Sequence, residues 1–255
     1  MKRIYLTLIA LVLNAVIFTA SAYDIAVKNT DGVTIYYNYI NGSHELEVTY
    51  MDNYNLYHKC YSGVVVIPNE IIYENKTLKV TRIGDGAFTR CSELTSISIP
   101  NSVENIGESA FYNCTKLTSV NISDVSTWCK ISFSGNYSNP LEYAHHLYID
   151  GQEINDLVIP DGMTSVNANA FNRCYSLTSV SIPNSVTAIG NSAFNECVNL
   201  TSISIPNSVT NIGSFAFDGC SSLSSASIPN SVTSIGEYNQ EIKGVTNVEI
   251  IPVSA

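Results

Sequence analysis

The side chains with the most reactive chemistry in this 255-residue chain are seven cysteines and four histidines. A zinc site needs about four Cys, His or carboxylate ligands at suitable spacings. His58 lies close to Cys60, and Cys129 precedes His145 and His146, but neither pairing supplies four ligands. Catalysis needs titratable groups that converge in a pocket, and no catalytic or phosphate-binding motif is present. The sequence therefore predicts no enzyme activity, no cofactor and no metal site.

Five of the cysteines recur at a fixed spacing of 23 residues, which one 37-residue insertion interrupts. A phenylalanine recurs in step three residues before each of them. A fixed period of 20 to 50 residues indicates a solenoid, in which each turn packs on its neighbours. These residues are therefore predicted to form a structural core of stacked copies: Cys91, Cys114, Cys174, Cys197, Cys220, Phe88, Phe111, Phe171, Phe194 and Phe217.

Each repeat contains a short strand signal of the form Leu-x-x-Ile-x-Ile, as in Leu200, Ile203 and Ile205. This is the spacing of leucine-rich repeats, in which a short strand directs alternate apolar side chains inward. Pro206 ends the strand, because proline has no amide hydrogen for the ladder.

A short helical turn is predicted to follow the glycine at the end of each repeat, for example Gly213. Ala216, Phe217 and Cys220 would then share one helical face. The glycine is replaced once, by Asn167, and both residue types suit either a left-handed backbone or a helix N-cap.

The repeated cysteines are predicted to be buried free thiols. Adjacent turns would bring their Cα atoms within disulfide range. However, the number of cysteines is odd, and copies stacked in register point in the same direction rather than toward each other.

The first 22 residues have the features of an export signal. Met1-Lys2-Arg3 is basic, residues 4–18 are apolar, and Ala20-Ser21-Ala22 is a small-residue cleavage site. We expect cleavage after Ala22 and a secreted or cell-surface protein. No second apolar run of 18 residues follows, so the remaining chain is not expected to span a membrane.

The chain is acidic, with a net charge of −10, and has no cluster of Lys or Arg. This composition argues against nucleic acid and anionic membranes as partners. It leaves protein or glycan ligands, with the oligomeric state open.

The period defines the predicted organisation. Residues 23–80 lack the 23-residue period and are predicted to form a β-rich N-terminal cap, in which Asn41-Gly42 is a hairpin-turn signal. Residues 81–237 hold about five 23-residue rungs, with an insert at about 123–157. Within the insert, Asn139-Pro140 begins a helix and Asp150-Gly151 is a hairpin turn. Residues 238–255 contain a last strand, predicted as a C-terminal cap. The fold class is a right-handed α+β leucine-rich-repeat solenoid with a parallel sheet on one face.

The repeated phrase, with consensus IPNSVTxIGxxAFxxCxxLTSISIP, resembles the BspA-like leucine-rich-repeat family of bacterial surface proteins. The resemblance spans about residues 80–236, and the insert segments WCKISF, NPLEYAHHLY and DLVIP resemble a variant rung of such proteins. The resemblance implies adhesion to matrix or plasma proteins or to other microbes, and it does not imply an enzyme.

The outward positions of the predicted sheet form the candidate binding surface. They alternate with the inward apolar residues of each strand: Ser96, Ser98, Ser119, Asn121, Ser179, Ser181, Ser202, Ser204, Ser225 and Ser227. Small hydroxyl groups can bind a partner with little loss of side-chain entropy, although they also simply keep a tight ladder soluble. An alternative is therefore a structural or variable surface-display protein with no fixed ligand.

A second candidate surface is the insert, which is rich in aromatic residues. Trp128, Tyr137, Tyr143 and Tyr148 lie within it. Aromatic side chains are frequent interface anchors, and packing of the insert explains them equally well.

Overall fold

The computed structural model describes residues 23–42, 44–50, 60–135 and 137–239. The expected export signal at residues 1–22 and all but the first two residues of the predicted C-terminal cap therefore lie outside the described residues.

The N-terminal region is a set of strands that joins the first turns of the solenoid. Antiparallel pairs link β1 to β2 and β2 to β3, and the second of these hairpins turns at Asn41-Gly42. The strand β3 then pairs in parallel with β6, which begins the second ladder of the repeats. The bounds are β1 Ile25–Lys28, β2 Thr34–Tyr39, β3 Glu45–Thr49, β4 Gly63–Val66, β5 Glu70–Tyr73 and β6 Lys76–Ile83.

The repeats themselves consist of short strands separated by turns. In chain order the elements are β7 Leu94–Ser98, β8 Asn105–Ile106, β9 Ser119–Ile122, α1 Val125–Trp128, β10 Ser132–Phe133, α2 Leu141–Ala144, β11 Leu147–Ile149, β12 Gln152–Glu153, β13 Asp156–Val158, β14 Ser165–Val166, β15 Ser179–Ser181, β16 Ala188–Ile189, β17 Ser202–Ser204, β18 Asn211–Ile212, β19 Ser225–Ser227 and β20 Ser234–Ile235.

The strands form parallel ladders in which residues one period apart lie side by side. Ser179 pairs with Ser202, and Ser202 with Ser225. The prediction of a leucine-rich-repeat solenoid with parallel strands is thus confirmed. Each turn also contributes a second, two-residue strand, and β14, β16, β18 and β20 form a further parallel sheet. The expectation of a parallel sheet on one face alone was therefore wrong.

The third side of each turn, which we call the turn face, was predicted to be helical and is not. Among the described residues the α-helices are α1 and α2, of four residues each, and both belong to the insert. In the regular repeats two residues per turn have positive φ, for example Ser192 (53°) and Glu196 (52°). An α-helix requires negative φ throughout, so two left-handed residues within five positions prevent it.

The backbone of the turn face instead bonds to the next turn. The amide of Phe171 donates to the carbonyl of Ala193 (2.8 Å), and the amide of Phe194 donates to that of Ala216 (2.9 Å). Equivalent hydrogen bonds join the other regular turns. On this face, amides of each turn therefore donate to carbonyls of the turn that follows it.

The interior contains columns of equivalent side chains. The rings of Phe171, Phe194 and Phe217 lie nearly parallel, with centroids 5.4 and 5.5 Å apart. The thiols of Cys197 and Cys220 donate to the carbonyls of Phe171 and Phe194, both at 3.2 Å. The cysteines therefore stack by bonding to the backbone of the preceding turn.

Five buried cysteines are free thiols: Cys114, Cys129, Cys174, Cys197 and Cys220. Burial raises the pKa of Cys114 and of Cys129 to about 12, and that of Cys174 to about 11. Desolvation disfavours the thiolate, so these groups stay protonated and unreactive.

Cys91 departs from the prediction of free thiols, because it forms a disulfide with Cys60. No regular repeat precedes Cys91, so its sulfur has no phenylalanine carbonyl of an earlier turn to bond. Tyr61 follows Cys60 in the chain, and the centroid of its ring lies 4.7 Å from the centroid of the Phe88 ring. Cys60 and Tyr61 thus occupy the positions that a cysteine and a phenylalanine of a preceding turn would take.

The repeated glycine is required for close packing, and the expectation of a left-handed backbone or helix cap was wrong. Its copies do not have positive φ. A Cβ atom at Gly190 would lie 2.5 Å from the amide nitrogen of Ala168, and one at Gly213 would lie 2.4 Å from that of Asn191. At Asn167 the preceding turn is the insert, and the side chain fits by donating to the carbonyl of Lys130.

The insert forms an additional, irregular turn of the same solenoid. Its strand β10 pairs with β8 and its strand β11 with β9, both in parallel. Trp128 is buried, and its indole nitrogen donates to the carbonyl of Ala170 at 2.8 Å. The amide of Asn139 donates to the carbonyl of Asn169 at 2.6 Å, so polar bonds fix the insert to the next repeat.

Candidate binding surface

The outward serines predicted as a binding surface occur on two sheets rather than one. The first sheet has the strand order β12-β11-β9-β7-β4, and the second has β13-β15-β17-β19. The hairpin of β11 and β12 ends the first sheet. Ser96, Ser98, Ser119 and Asn121 belong to the first sheet, and Ser179, Ser181, Ser202, Ser204, Ser225 and Ser227 to the second.

On the first sheet the polar side chains bond to one another. The hydroxyl of Ser119 donates to that of Ser96 at 2.8 Å, and the amide of Asn121 donates to Ser96 at 3.0 Å. These side chains are half-buried. The bonds satisfy much of their polar capacity within the ladder itself.

The second sheet presents its hydroxyl groups more openly. Ser181, Ser202 and Ser204 are exposed, and no hydrogen bond joins their side chains to another of the described residues. Ser179 is bonded to Asp156. Ser225 and Ser227 continue the ladder on β19, while their side chains lie outside the description.

In chain order, β11, β12 and β13 come between the strands that carry the two groups of serines. On or beside these three strands are five chemically different side chains, which we call the seam residues: His146, Tyr148, Glu153, Asp156 and Val158. Tyr148 is in register with Asn121, Asp156 with Ser179, and Val158 with Ser181. Val158 is 65% exposed. His146 contacts Glu153 through its Nδ1 atom, and Glu153 lies opposite Tyr148.

Sequence reasoning did not assign these residues to the sheet face, although a signal was present. The segment DLVIP matches the repeated phrase SISIP, so Asp156 and Val158 occupy serine positions of the template. Tyr148 was noticed only as part of the insert.

The aromatic residues of the insert do not form one surface. Trp128 lies in the core, so for this residue packing of the insert, rather than anchoring of a partner, is the explanation that holds. Tyr148 is on β11, whereas Tyr137 lies 5.0 Å from Tyr112, an exposed residue of the turn face. Tyr143 accepts a hydrogen bond from the amide of Asn113. The second candidate surface is therefore divided.

Charged groups cluster beside the insert, where Arg173 contacts both Glu142 and Glu196 at 2.9 Å. Burial raises the pKa of Glu142 despite the neighbouring guanidinium. Burial also lowers the pKa of His145, whose ring stacks on Tyr175 at 4.0 Å. These contacts tie the insert to the next two repeats.

Across the part of the chain that the structure describes, no three or more His, Cys, Asp or Glu side chains are placed to hold a metal ion. The sulfur of Cys60 is bonded to Cys91, and His58 lies outside the described residues.

The fold and this surface define a solenoid of stacked leucine-rich repeats with an exposed polar sheet face. The sequence profile of the BspA type leucine rich repeat region matches in six copies, over residues 49–141 and 144–252. Because the match covers well over half of the chain, the protein belongs to the BspA-type leucine-rich-repeat family. Neither the family nor the solved relatives indicate a catalytic function.

Solved structures of similar proteins are bacterial. A leucine-rich repeat protein from Bacteroides ovatus is 30% identical with a TM-score of 0.54, and the match covers 85% of this chain and 56% of that one. A leucine rich cell surface protein from Faecalibacterium prausnitzii is 26% identical with a TM-score of 0.41, covering 84% and 73%. This chain thus spans little more than half the length of the first relative. A comparison with curated proteins found no match.

Within residues 23–239 as described, no helix has the length and apolar character needed to cross a membrane.

Proposed function

We propose that this chain is a non-enzymatic adhesion or recognition module of the bacterial surface. It is exported by residues 1–22 and binds protein or glycan partners on host or microbial surfaces. The binding surface is the serine-bearing sheet face, including all ten positions predicted from the sequence.

One observation carries the proposal: the hydroxyl groups of Ser181, Ser202 and Ser204 are exposed on a parallel sheet and are not used in bonds within the described protein. Such groups donate and accept hydrogen bonds, and they lose little rotamer entropy when a partner binds. Solenoids commonly use a repeated surface of this kind for binding.

A double substitution, Ser202→Arg with Ser204→Arg, tests the proposal. Two long cations on adjacent outward positions would block a partner without touching the core. We expect at least a tenfold loss of affinity for partners captured from host and microbial surface proteins. The matched control is Asn211→Arg with Ser234→Arg, because these exposed residues pair on the other sheet. Normal binding by the folded Ser202/Ser204 variant would remove this face from the proposal.

The second candidate is a structural or variable display protein without a fixed ligand. The bonds among Ser96, Ser119 and Asn121 favour it, because they show hydroxyl and amide groups serving the ladder itself. A broad panel of protein and glycan ligands that yields no saturable binder would support this function over recognition.

A further inference from the structure

The serines of the sheet face are weak anchors by themselves. A single hydrogen bond adds little net binding free energy, because the donor and the acceptor each give up a bond to water. Serine is also rare among the residues that dominate interface energies. Tyrosine is common among them, and they concentrate near the centre of an interface. In chain order, Tyr148 and the other seam residues come between the two groups of serines.

We infer that the seam residues are the specificity-determining anchor of this face, and that they fit a polypeptide segment presenting Lys or Arg beside an apolar side chain. The inference rests on the proposed function, because it assigns the anchor to the same face.

The charge of the face points to a cationic partner. None of the strands of the two sheets, β4, β7, β9, β11, β12, β13, β15, β17 and β19, contains Lys or Arg. The carboxylates of these strands are Glu153 and Asp156, and both residues are exposed. At the margin, Lys116 is paired with Glu93 and adds no net charge. A chain of net charge −10 adds a long-range field of the same sign, which attracts cations.

The arrangement of the seam residues suits a side chain that is cationic at its end and apolar along its stem. Tyr148 lies directly opposite Glu153, so an aromatic ring and a carboxylate are neighbours. Ring faces attract Lys and Arg, and carboxylates accept their hydrogen bonds. Asp156 is oriented in advance, because its Oδ1 atom accepts from Ser179 at 2.6 Å.

Val158 supplies the apolar part of the anchor. It is 65% exposed on a strand whose neighbours present hydroxyl groups. Covering this side chain removes apolar surface from water, which favours binding by a partner that is not purely polar. A neutral glycan would offer no positive charge to Asp156, or to Glu153 beyond its existing contact with His146.

The experiment measures binding of the purified chain to synthetic probes. The first is a decapeptide that alternates Lys and Arg with Leu and Tyr, and the second has Glu in place of every Lys and Arg. Chitohexaose and maltohexaose serve as neutral glycans. The variants are Glu153→Gln with Asp156→Asn, and separately Tyr148→Ala.

Matched controls separate a site from general attraction to an acidic protein. Asp31→Asn with Glu74→Gln removes the same charge from exposed N-terminal turns, and Tyr39→Ala removes an exposed tyrosine of β2. We expect both seam variants to bind the basic peptide at least tenfold more weakly and the controls to remain within twofold. Binding of the basic peptide should weaken steeply with salt.

Equal weakening of seam and control variants would overturn the inference, as would a lack of binding of the basic peptide to the unchanged protein. Binding of a neutral glycan that is lost in Tyr148→Ala but retained in the carboxylate variant would also overturn it, while leaving the proposed function in place. The two proposals can fail separately. If the variant Ser202→Arg with Ser204→Arg loses its natural partners while both seam variants still bind those partners fully, this inference fails and the proposed function stands.

Discussion

At the residue scale, close contact between turns depends on the glycine that ends each repeat. A Cβ atom at Gly213 would meet the backbone nitrogen of Asn191 at 2.4 Å, well inside van der Waals contact. Two of the three nearest atoms, the amide nitrogen of Asn191 and the carbonyl carbon of Gly190, belong to the backbone of the preceding turn, so they cannot rotate away as a side chain would.

We therefore expect Gly213→Ala to lower the free energy of unfolding by about 3 kcal/mol, the upper part of the range for overpacked sites. Urea unfolding followed by circular dichroism measures this change. The control is Ser214→Ala, one residue further on, which should change stability by less than about 0.5 kcal/mol. Equal stability of Gly213→Ala and the native protein would show that the turns are not in contact at this point.

The buried thiols are also expected to make the free energy of unfolding depend on pH. The pKa values of Cys114 and Cys129 are raised to about 12, so these groups stay protonated in the folded state while the unfolded chain ionises. Their stabilisation is complete below the unfolded pKa of about 8.5 and is lost as pH rises toward the folded values.

We expect the unfolding free energy to fall between pH 8.5 and 10 by about 1.4 kcal/mol per pH unit for each such thiol, as an upper limit. The variant Cys114→Ala should show a shallower slope than the native protein, although it is less stable at pH 7. Identical slopes would mean that this thiol is not buried in the folded state.

At the element scale, the disulfide between Cys60 and Cys91 attaches the N-terminal strands to the first regular turn. We propose that these strands act as the cap that was expected for residues 23–80. Tyr61 supports this role, because its hydroxyl donates to the carbonyl of Thr49 and its ring packs on Phe88.

Cys60→Ser should lower the free energy of unfolding by about 3 kcal/mol, since it releases a cross-link spanning 31 residues. The native protein treated with a reductant should match the variant, and the reductant should leave the variant unchanged. Denaturant unfolding under both conditions makes this comparison. A reductant that destabilises both proteins equally would assign the effect to something other than this bond.

The sequence predicted the stacked columns that follow from the period, but it missed a disulfide that involves a residue outside the repeats and the backbone conformation of the turn face within them. The columns of Cys197 and Cys220 follow from a spacing of 23. The disulfide does not, because Cys60 lies outside the repeats. The helical prediction was wrong because Ser192 and Glu196 are ordinary residue types, and nothing in their identity indicates positive φ.

The same reasoning applies to the candidate site. The serine positions were predictable, since alternation along a strand determines which side chains point outward. Their division into two groups was not, because it depends on how the hairpin of β11 and β12 meets the next repeat. Asp156 could have been found by aligning the strand template across the insert.

At the scale of the whole molecule, the stability of a solenoid is approximately a sum over turns and their interfaces. Removal of one complete period should therefore leave a folded, shorter protein. Deletion of residues 191–213 joins Gly190 to Ser214 and brings Ser179 beside Ser225, in the register that each now has with Ser202.

We expect this 23-residue deletion to retain a cooperative unfolding transition at a lower midpoint temperature. The control deletes residues 190–213, which is one residue more and places every later side chain one position out of register. That variant should lose the order of the turns beyond the deletion, as measured by the reactivity of Cys220 toward a water-soluble thiol reagent. Equal protection of Cys220 in both deletions would contradict a stack held in register.

The turn face gives the molecule a direction. Amides at equivalent positions of this face, from Gly86 to Phe215, donate to a carbonyl of the following turn, and at the last described turn the amide of Phe217 donates to the side chain of Asn239. On this face, a turn therefore presents amide donors to the turn that follows it and carbonyl acceptors to the turn that precedes it. Turns stacked in the opposite chain direction would oppose like groups along this face, so these bonds favour a head-to-tail order of turns. Asn239 is buried, and its side-chain oxygen takes, at the last described turn, the acceptor role that backbone carbonyls such as that of Ala216 have in earlier turns.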